Sequence, residues 1–285
     1  MASKRGNGAT PTAPRADGRK PRVNDIDAYI DAHQDAYIAL VQRLCRQPSI
    51  SAQGIGMAET ARLVTTLLDD VGAKTRLLPT DGGYPVIFAT VGSGKKTLSF
   101  YNHYDVQPPE PLDLWESDPF SAEIRDGRIY ARGVADNKGN LAARICAIDA
   151  YQKVRGALPL RVTFIIEGEE EIGSVHLESF TSRYPELIQA DANIWESGST
   201  DVDGRPILTL GIKGICYVER RARATSHDLH SSLGASVPNA AWRLTWALAS
   251  LKDRDERVRI PGFYDRVVPP AETDIAALEA VAVRG

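Results

Sequence analysis

Long apolar runs are missing from this 285-residue chain. Stretches such as Val86–Ala89 fall far short of the ~20 residues a bilayer span needs, so no membrane helix is expected. Cysteine is scarce: Cys45, Cys146 and Cys216 lie far apart, with no Cys-x-x-Cys pair. That excludes a disulfide framework and a cysteine zinc knuckle, and it fits a reducing compartment, so a cytoplasmic location is expected. A strong excess of one charge is absent too. The 34 basic and 37 acidic residues leave a net charge of −3, which gives the whole chain no electrostatic attraction to nucleic acid. Three catalytic signatures are also missing. Gly92-Ser93-Gly94-Lys95 lacks the spacing and the following hydroxyl of a phosphate loop, and there is no Gly-x-Ser-x-Gly elbow and no His-Glu-x-x-His helix.

What is present is an ordinary globular composition, 43% hydrophobic and 25% charged, in a length that suits about two domains. Residues 1–23 stand apart. Lys4, Arg5, Arg15, Arg19, Lys20 and Arg22 face Asp17 alone, with hardly an aliphatic side chain, so a disordered basic tail is expected. No apolar core follows the positive start, as a signal peptide requires. From Asn24 onward, Ile26, Tyr29, Ile30, Tyr37, Val41 and Leu44 recur at helical spacing until Pro48. A second helix is predicted over 57–71, capped by Gly72, and others over 138–155 and 174–183. Short strands are predicted over 86–91, 97–101, 161–166 and 191–195, with a hairpin at Asp126-Gly127. This alternation predicts an α/β domain over 24–211, with a mixed, partly parallel central sheet flanked by helices. A second, smaller α+β domain is expected over 212–285, opening with a strand over 215–224 and an apolar helix over 237–251 that carries Trp242 and Trp246.

The chemistry concentrates where strands end. His103 and Asp105 follow one apolar strand, Glu170 and Glu171 another, and Glu196 a third, while Asp136 sits in a glycine-flanked loop. Ligands of α/β sheets gather beyond the carboxyl ends of strands. An aspartate two residues from a histidine in extended chain can hold its second ring nitrogen and fix the tautomer. Each residue has a bland reading as well. A lone histidine is usually just polar, an acidic run such as 169–171 is usually a solvated face, and Asp136 could cap the following helix. Carboxylates and an imidazole gathered at one edge would nevertheless repel without a cation, and such nitrogen and oxygen donors suit zinc, with cobalt or manganese as alternatives.

Seven segments in order, LCRQPSIS, NHYDVQP, WESDPF, DGRIYARGVADNKG, EGEEEIGS, GIKGICYVE and SHDLHSS, make the chain resemble a di-zinc metallopeptidase family. That family includes carnosinase-type dipeptidases, glutamate carboxypeptidase, acetylornithine deacetylase and succinyl-diaminopimelate desuccinylase. DVQP followed by WESDPF is most similar to the dipeptidase branch, although that branch often has aspartate where Glu196 stands. The resemblance implies His103 and Glu196 as ligands of one metal, Asp136 as a bridge before a cis peptide to Asn137, and Glu171 on the second metal. It implies Asp105 behind His103, Glu170 as general base, and His230 as a second-domain group reaching a partner subunit's site.

Residues 212–285 would then be a dimerisation or lid domain of a homodimer, and the substrate a small peptide or N-acyl amino acid. The family's second metal takes a further, late histidine. The five here are His33, His103, His176, His227 and His230, and none matches it. The expectation is therefore a shortened member or fragment whose second site is incomplete, binding about one metal tightly and nearly inactive. The alternative is a non-catalytic remnant acting as a dimerisation or ligand-binding module.

Overall fold

The computed structural model describes residues 23–196, 198–200, 205–207, 209 and 214–279. The expected basic tail, apart from Val23, lies outside them. Two compact units divide between Thr209 and Leu210. In the first, the order is α1 (Val23–Ala32), α2 (Gln34–Arg46), α3 (Met57–Asp70), β1 (Lys74–Leu78), β2 (Val86–Val91), β3 (Thr97–His103), β4 (Glu123–Arg125), β5 (Arg128–Tyr130), α4 (Gly139–Arg155), β6 (Arg161–Glu167), α5 (Leu177–Arg183) and β7 (Ala192–Ile194).

Five strands form a mixed sheet in the order β1-β2-β6-β3-β7. β1 and β2 are antiparallel, as are β2 and β6, whereas β3 runs parallel to both β6 and β7. The central strands read as unbroken apolar runs because both faces are covered. Ile87, Phe164 and Ile166 join Leu44, Val64 and Leu141 from α2, α3 and α4 in one cluster. Val86, Phe88 and Ile165 point the other way and meet Phe180 of α5. In α3, Met57, Ala61, Val64 and Leu68 recur every three or four residues and are all buried, which is the amphipathic pattern that made the helix legible. The predicted hairpin is formed by β4 and β5, with Arg125 opposite Arg128. Asp126 and Gly127 both have positive φ, 49° and 73°, as the tight two-residue turn between twisted strands requires.

Three expectations change. The first helical run is two helices, parted at His33, whose ring stacks on Tyr29 and whose Nδ1 lies 2.8 Å from the Tyr29 carbonyl oxygen. A side chain competing for the backbone in this way interrupts a helix that apolar spacing alone would continue. β1 escaped prediction because only Leu78 of its five residues is buried. In the second unit, α6 (Ala240–Ala249) and α7 (Glu272–Glu279) form. The strand expected over 215–224 does not form: among the described residues this stretch joins no ladder, and Ile215 and Tyr217 are 92% and 90% exposed. Alternation favours a strand only when a neighbouring edge takes up its backbone groups.

Candidate metal centre

Parallel pairing brings the ends of β3, β6 and β7 to one edge of the sheet. His103, the last residue of β3, pairs with Glu167 at the end of β6, and Glu196 follows two residues after β7. His103 is fully buried. The chain after it is tied down on both sides. Tyr104 N–H donates to the Glu167 carbonyl at 2.8 Å, and Ser49 Oγ donates to the Tyr104 carbonyl at 2.6 Å. Gly168 is glycine for a steric reason, since a Cβ there would lie 2.5 Å from the Tyr104 ring.

Asp105 is also fully buried and does two things. Its backbone carbonyl is hydrogen-bonded to His103 Nδ1 at 3.1 Å, with its carboxylate Oδ1 3.3 Å from the same nitrogen, and its two carboxylate oxygens accept the backbone N–H groups of Glu170 (3.3 Å) and Glu171 (3.0 Å). Asp105 therefore orients the imidazole through its carbonyl and carboxylate together, while the carboxylate also pins the short helical turn Glu170–Ile172. Gln107, which sequence reasoning passed over, adds a bond from Nε2 to the Glu171 carbonyl at 2.7 Å. The signal was there in NHYDVQP, but its partner lies 64 residues on.

The other ring nitrogen of His103 faces acids. Asp136 Oδ1 lies 2.9 Å from Nε2, Glu196 Oε2 3.5 Å and Glu170 Oε2 3.9 Å. Asp136 does not cap α4; its backbone is non-helical, and the Asp136–Asn137 peptide is cis. The bend before it needs Gly133, where φ is 79° and a Cβ would lie 2.3 Å from Val106 Cγ1. Nor is the acidic run 169–171 a solvated face. Glu169 is buried, with its carboxylate 2.9 Å from His176 Nδ1. Lys138, also passed over, is fully buried and donates to the Gln47 carbonyl at 2.5 Å, and burial pushes its ammonium down to about 8.

Burial raises the carboxyl groups of Glu170, Glu171 and Glu196, and His103 pulls each of them back. For His103, burial works against the charged ring, but Asp105, Asp136 and Glu170 outweigh it and lift the imidazole to about 9. Among the described residues, two groups place ligand-capable atoms within 4.8 Å of one another: His103, Asp136 and Glu171, and His103, Glu170 and Glu196. Glu196 Oε2 is buried with no hydrogen-bond partner. An orphaned carboxylate oxygen facing an imidazole and other acids fits a divalent cation, and these donors are zinc-type ligands.

His230 belongs to the second unit. It precedes the short turn Ser231–Leu233, where its Nδ1 accepts the Ser232 N–H at 3.2 Å. His227 contacts Ser226 Oγ at 3.0 Å, and His33 contacts the Tyr29 carbonyl. Of the histidines, only His103 enters the two acidic groups.

Comparison with known proteins identifies the family. A profile described as peptidase family M20/M25/M40 matches residues 99–282. Human Beta-Ala-His dipeptidase is 31% identical, covering 97% of this chain and 58% of the relative. Cys-Gly metallodipeptidase dug1 of Schizosaccharomyces pombe is 30% identical, over 92% of this chain and 59% of the relative. Among solved structures, the M20 family metallo-carboxypeptidase Sso-CP2 from Sulfolobus solfataricus is 37% identical with a TM-score of 0.76, covering 87% of this chain and 57% of that one. The chain thus spans less than two thirds of the length of the relatives it matches.

Proposed function

Because this chain belongs to peptidase family M20/M25/M40, we propose that its acidic sheet edge serves metal-dependent hydrolysis of a peptide or amide bond in dipeptides or N-acyl amino acids. The carrying observation is His103 Nε2 facing Asp136, Glu170 and Glu196, with Glu196 Oε2 buried and unpartnered. His103, Asp136, Glu171 and Glu196 would hold the metal, with Asp105 fixing the imidazole from behind. When bound, zinc supplies Lewis acidity toward the scissile carbonyl and the attacking water. Glu170 takes the proton of that water and delivers it to the leaving amine, a role for which a carboxyl raised by burial is suited. His230 stabilises the developing oxyanion, acting from a partner subunit in a homodimer formed through residues 212–285. Likeness to relatives named as dipeptidases supports a dipeptide, ahead of an acyl amino acid, as the substrate. A cytoplasmic location completes the reading, supported by three free cysteines of which Cys45 and Cys146 are buried.

Both ligand groups share one imidazole, so residues 1–285 should hold about one zinc tightly and turn over slowly. The test is zinc content after dialysis together with hydrolysis of a dipeptide panel, for the wild type, Glu170→Gln and Glu171→Gln. Glu170→Gln should keep the metal and lose the slow, zinc-dependent hydrolysis. Glu171→Gln should lower zinc content. Loss of metal from Glu170→Gln would make Glu170 a ligand and not the base. Zinc binding with no hydrolysis above the Glu170→Gln level would favour a non-catalytic binding module.

A further inference from the structure

Glu196 depends on an edge that the sheet leaves unfinished. The β3–β7 ladder ends with Phe100 opposite Ile194, so the carbonyls of Tyr101, Trp195 and Glu196 lie beyond its last pair. Arg144 on α4 takes over there. One terminal nitrogen of its guanidinium donates to the Tyr101 carbonyl at 2.6 Å and to Asn102 Oδ1. The other donates to the carbonyls of Trp195 at 2.6 Å and Glu196 at 3.0 Å. The Glu196 carbonyl also accepts Asn137 Nδ2 at 2.8 Å, and Asn137 Oδ1 in turn accepts Asn102 Nδ2. The Trp195 ring stacks on Tyr101, with centroids 4.1 Å apart, so the two residues whose carbonyls Arg144 joins also meet through their rings.

We infer that Arg144 is a positioning residue that carries the β3–β7 register past the end of the ladder and so aims the Glu196 carboxylate at His103 Nε2. A planar guanidinium is suited to this, because one rigid fork of N–H donors reaches acceptors on two strands at once. Lysine offers the charge without the fork. Groups that orient metal ligands in this way change metal affinity about 10–100-fold when removed. The inference rests on Glu196 being a ligand.

Cobalt(II) titration, followed by the visible ligand-field spectrum and by equilibrium dialysis, tests it on residues 1–285 as wild type, Arg144→Met, Arg144→Lys, Glu196→Gln and the Arg144→Met/Glu196→Gln double variant. Arg144→Met should weaken cobalt binding about 10–100-fold and alter the spectrum, with Arg144→Lys between it and wild type. In the Glu196→Gln background, loss of Arg144 should have no further effect, since its contribution passes through that carboxylate. A merely structural role would instead weaken both backgrounds. Should Arg144→Met fail to fold by circular dichroism, Arg144→Lys in the two backgrounds gives the same comparison. Wild-type affinity in both Arg144 variants, or an added loss in the double variant, overturns the inference while leaving the metal centre standing. Wild-type affinity in Glu196→Gln overturns the inference together with the ligand role from which it starts.

Discussion

The two units use apolar residues differently. In the first, β2, β6 and β3 lie between helices, and Ile87, Phe164, Ile166 and Leu141 are fully buried. In the second, α6 carries Trp242 and Trp246, which remain 59% and 64% exposed, and 215–224 finds no strand partner. Both units contain histidines near acidic or hydroxyl groups, yet among the described residues only the first gathers them into ligand-capable groups. A carboxylate cluster needs backbone fixed from several directions, and the sheet edge supplies it. α6 has a helix cap, with Asn239 Oδ1 accepting the Ala241 N–H at 2.8 Å, but its helical order rests on local bonds.

The comparison can be broken most directly through metal binding. His103→Ala removes the imidazole common to both ligand groups and should lower zinc affinity by more than ~100-fold, beyond the usual loss of an outer partner. His230→Ala should leave zinc affinity unchanged, and equilibrium dialysis of the two variants reads the difference. Stability gives the next contrast. Phe164→Ala, at a fully buried position of strand β6, should cost about 3–5 kcal/mol by denaturant unfolding. Gly133→Ala should cost about 1–2 kcal/mol, because its φ of 79° disfavours any Cβ and Val106 fills the space. The smallest effect belongs to the second unit: Trp242→Ala should shift stability by no more than about 0.5 kcal/mol, as exposed positions usually do. A loss near that of Phe164→Ala would mean that Trp242 is covered in solution, as a dimer through 212–285 requires. Sedimentation of the variant and wild type would then show whether association falls with it.

Much of the first unit was legible because its signals are local. Helical spacing in 57–70, the Asp-Gly turn and the apolar strands each lie within one short window, and they placed His103, Asp136, Glu171 and Glu196 near strand ends or in a glycine-flanked loop. The missed features involve partners far apart. The sequence offers Asp105 as a support for His103, but its bonds to the N–H groups of Glu170 and Glu171 span 65 and 66 residues. Arg144 reads as an ordinary helical arginine until Tyr101 and Trp195 are brought beside it.

Sequence alone determined residue chemistry and local shape: which stretches could be buried on two faces, where glycine permitted a sharp turn, and which side chains could donate to a cation. Tertiary structure decided which of those donors meet. The order β2-β6-β3-β7 put three strand ends together, and Asp105, Asn137 and Arg144 fixed the loops beyond them. It also left 215–224 without a strand partner, although its alternation resembles that of a half-buried strand. The reason is that backbone spacing is set within a few residues, whereas hydrogen-bond satisfaction and burial depend on which distant segment arrives alongside.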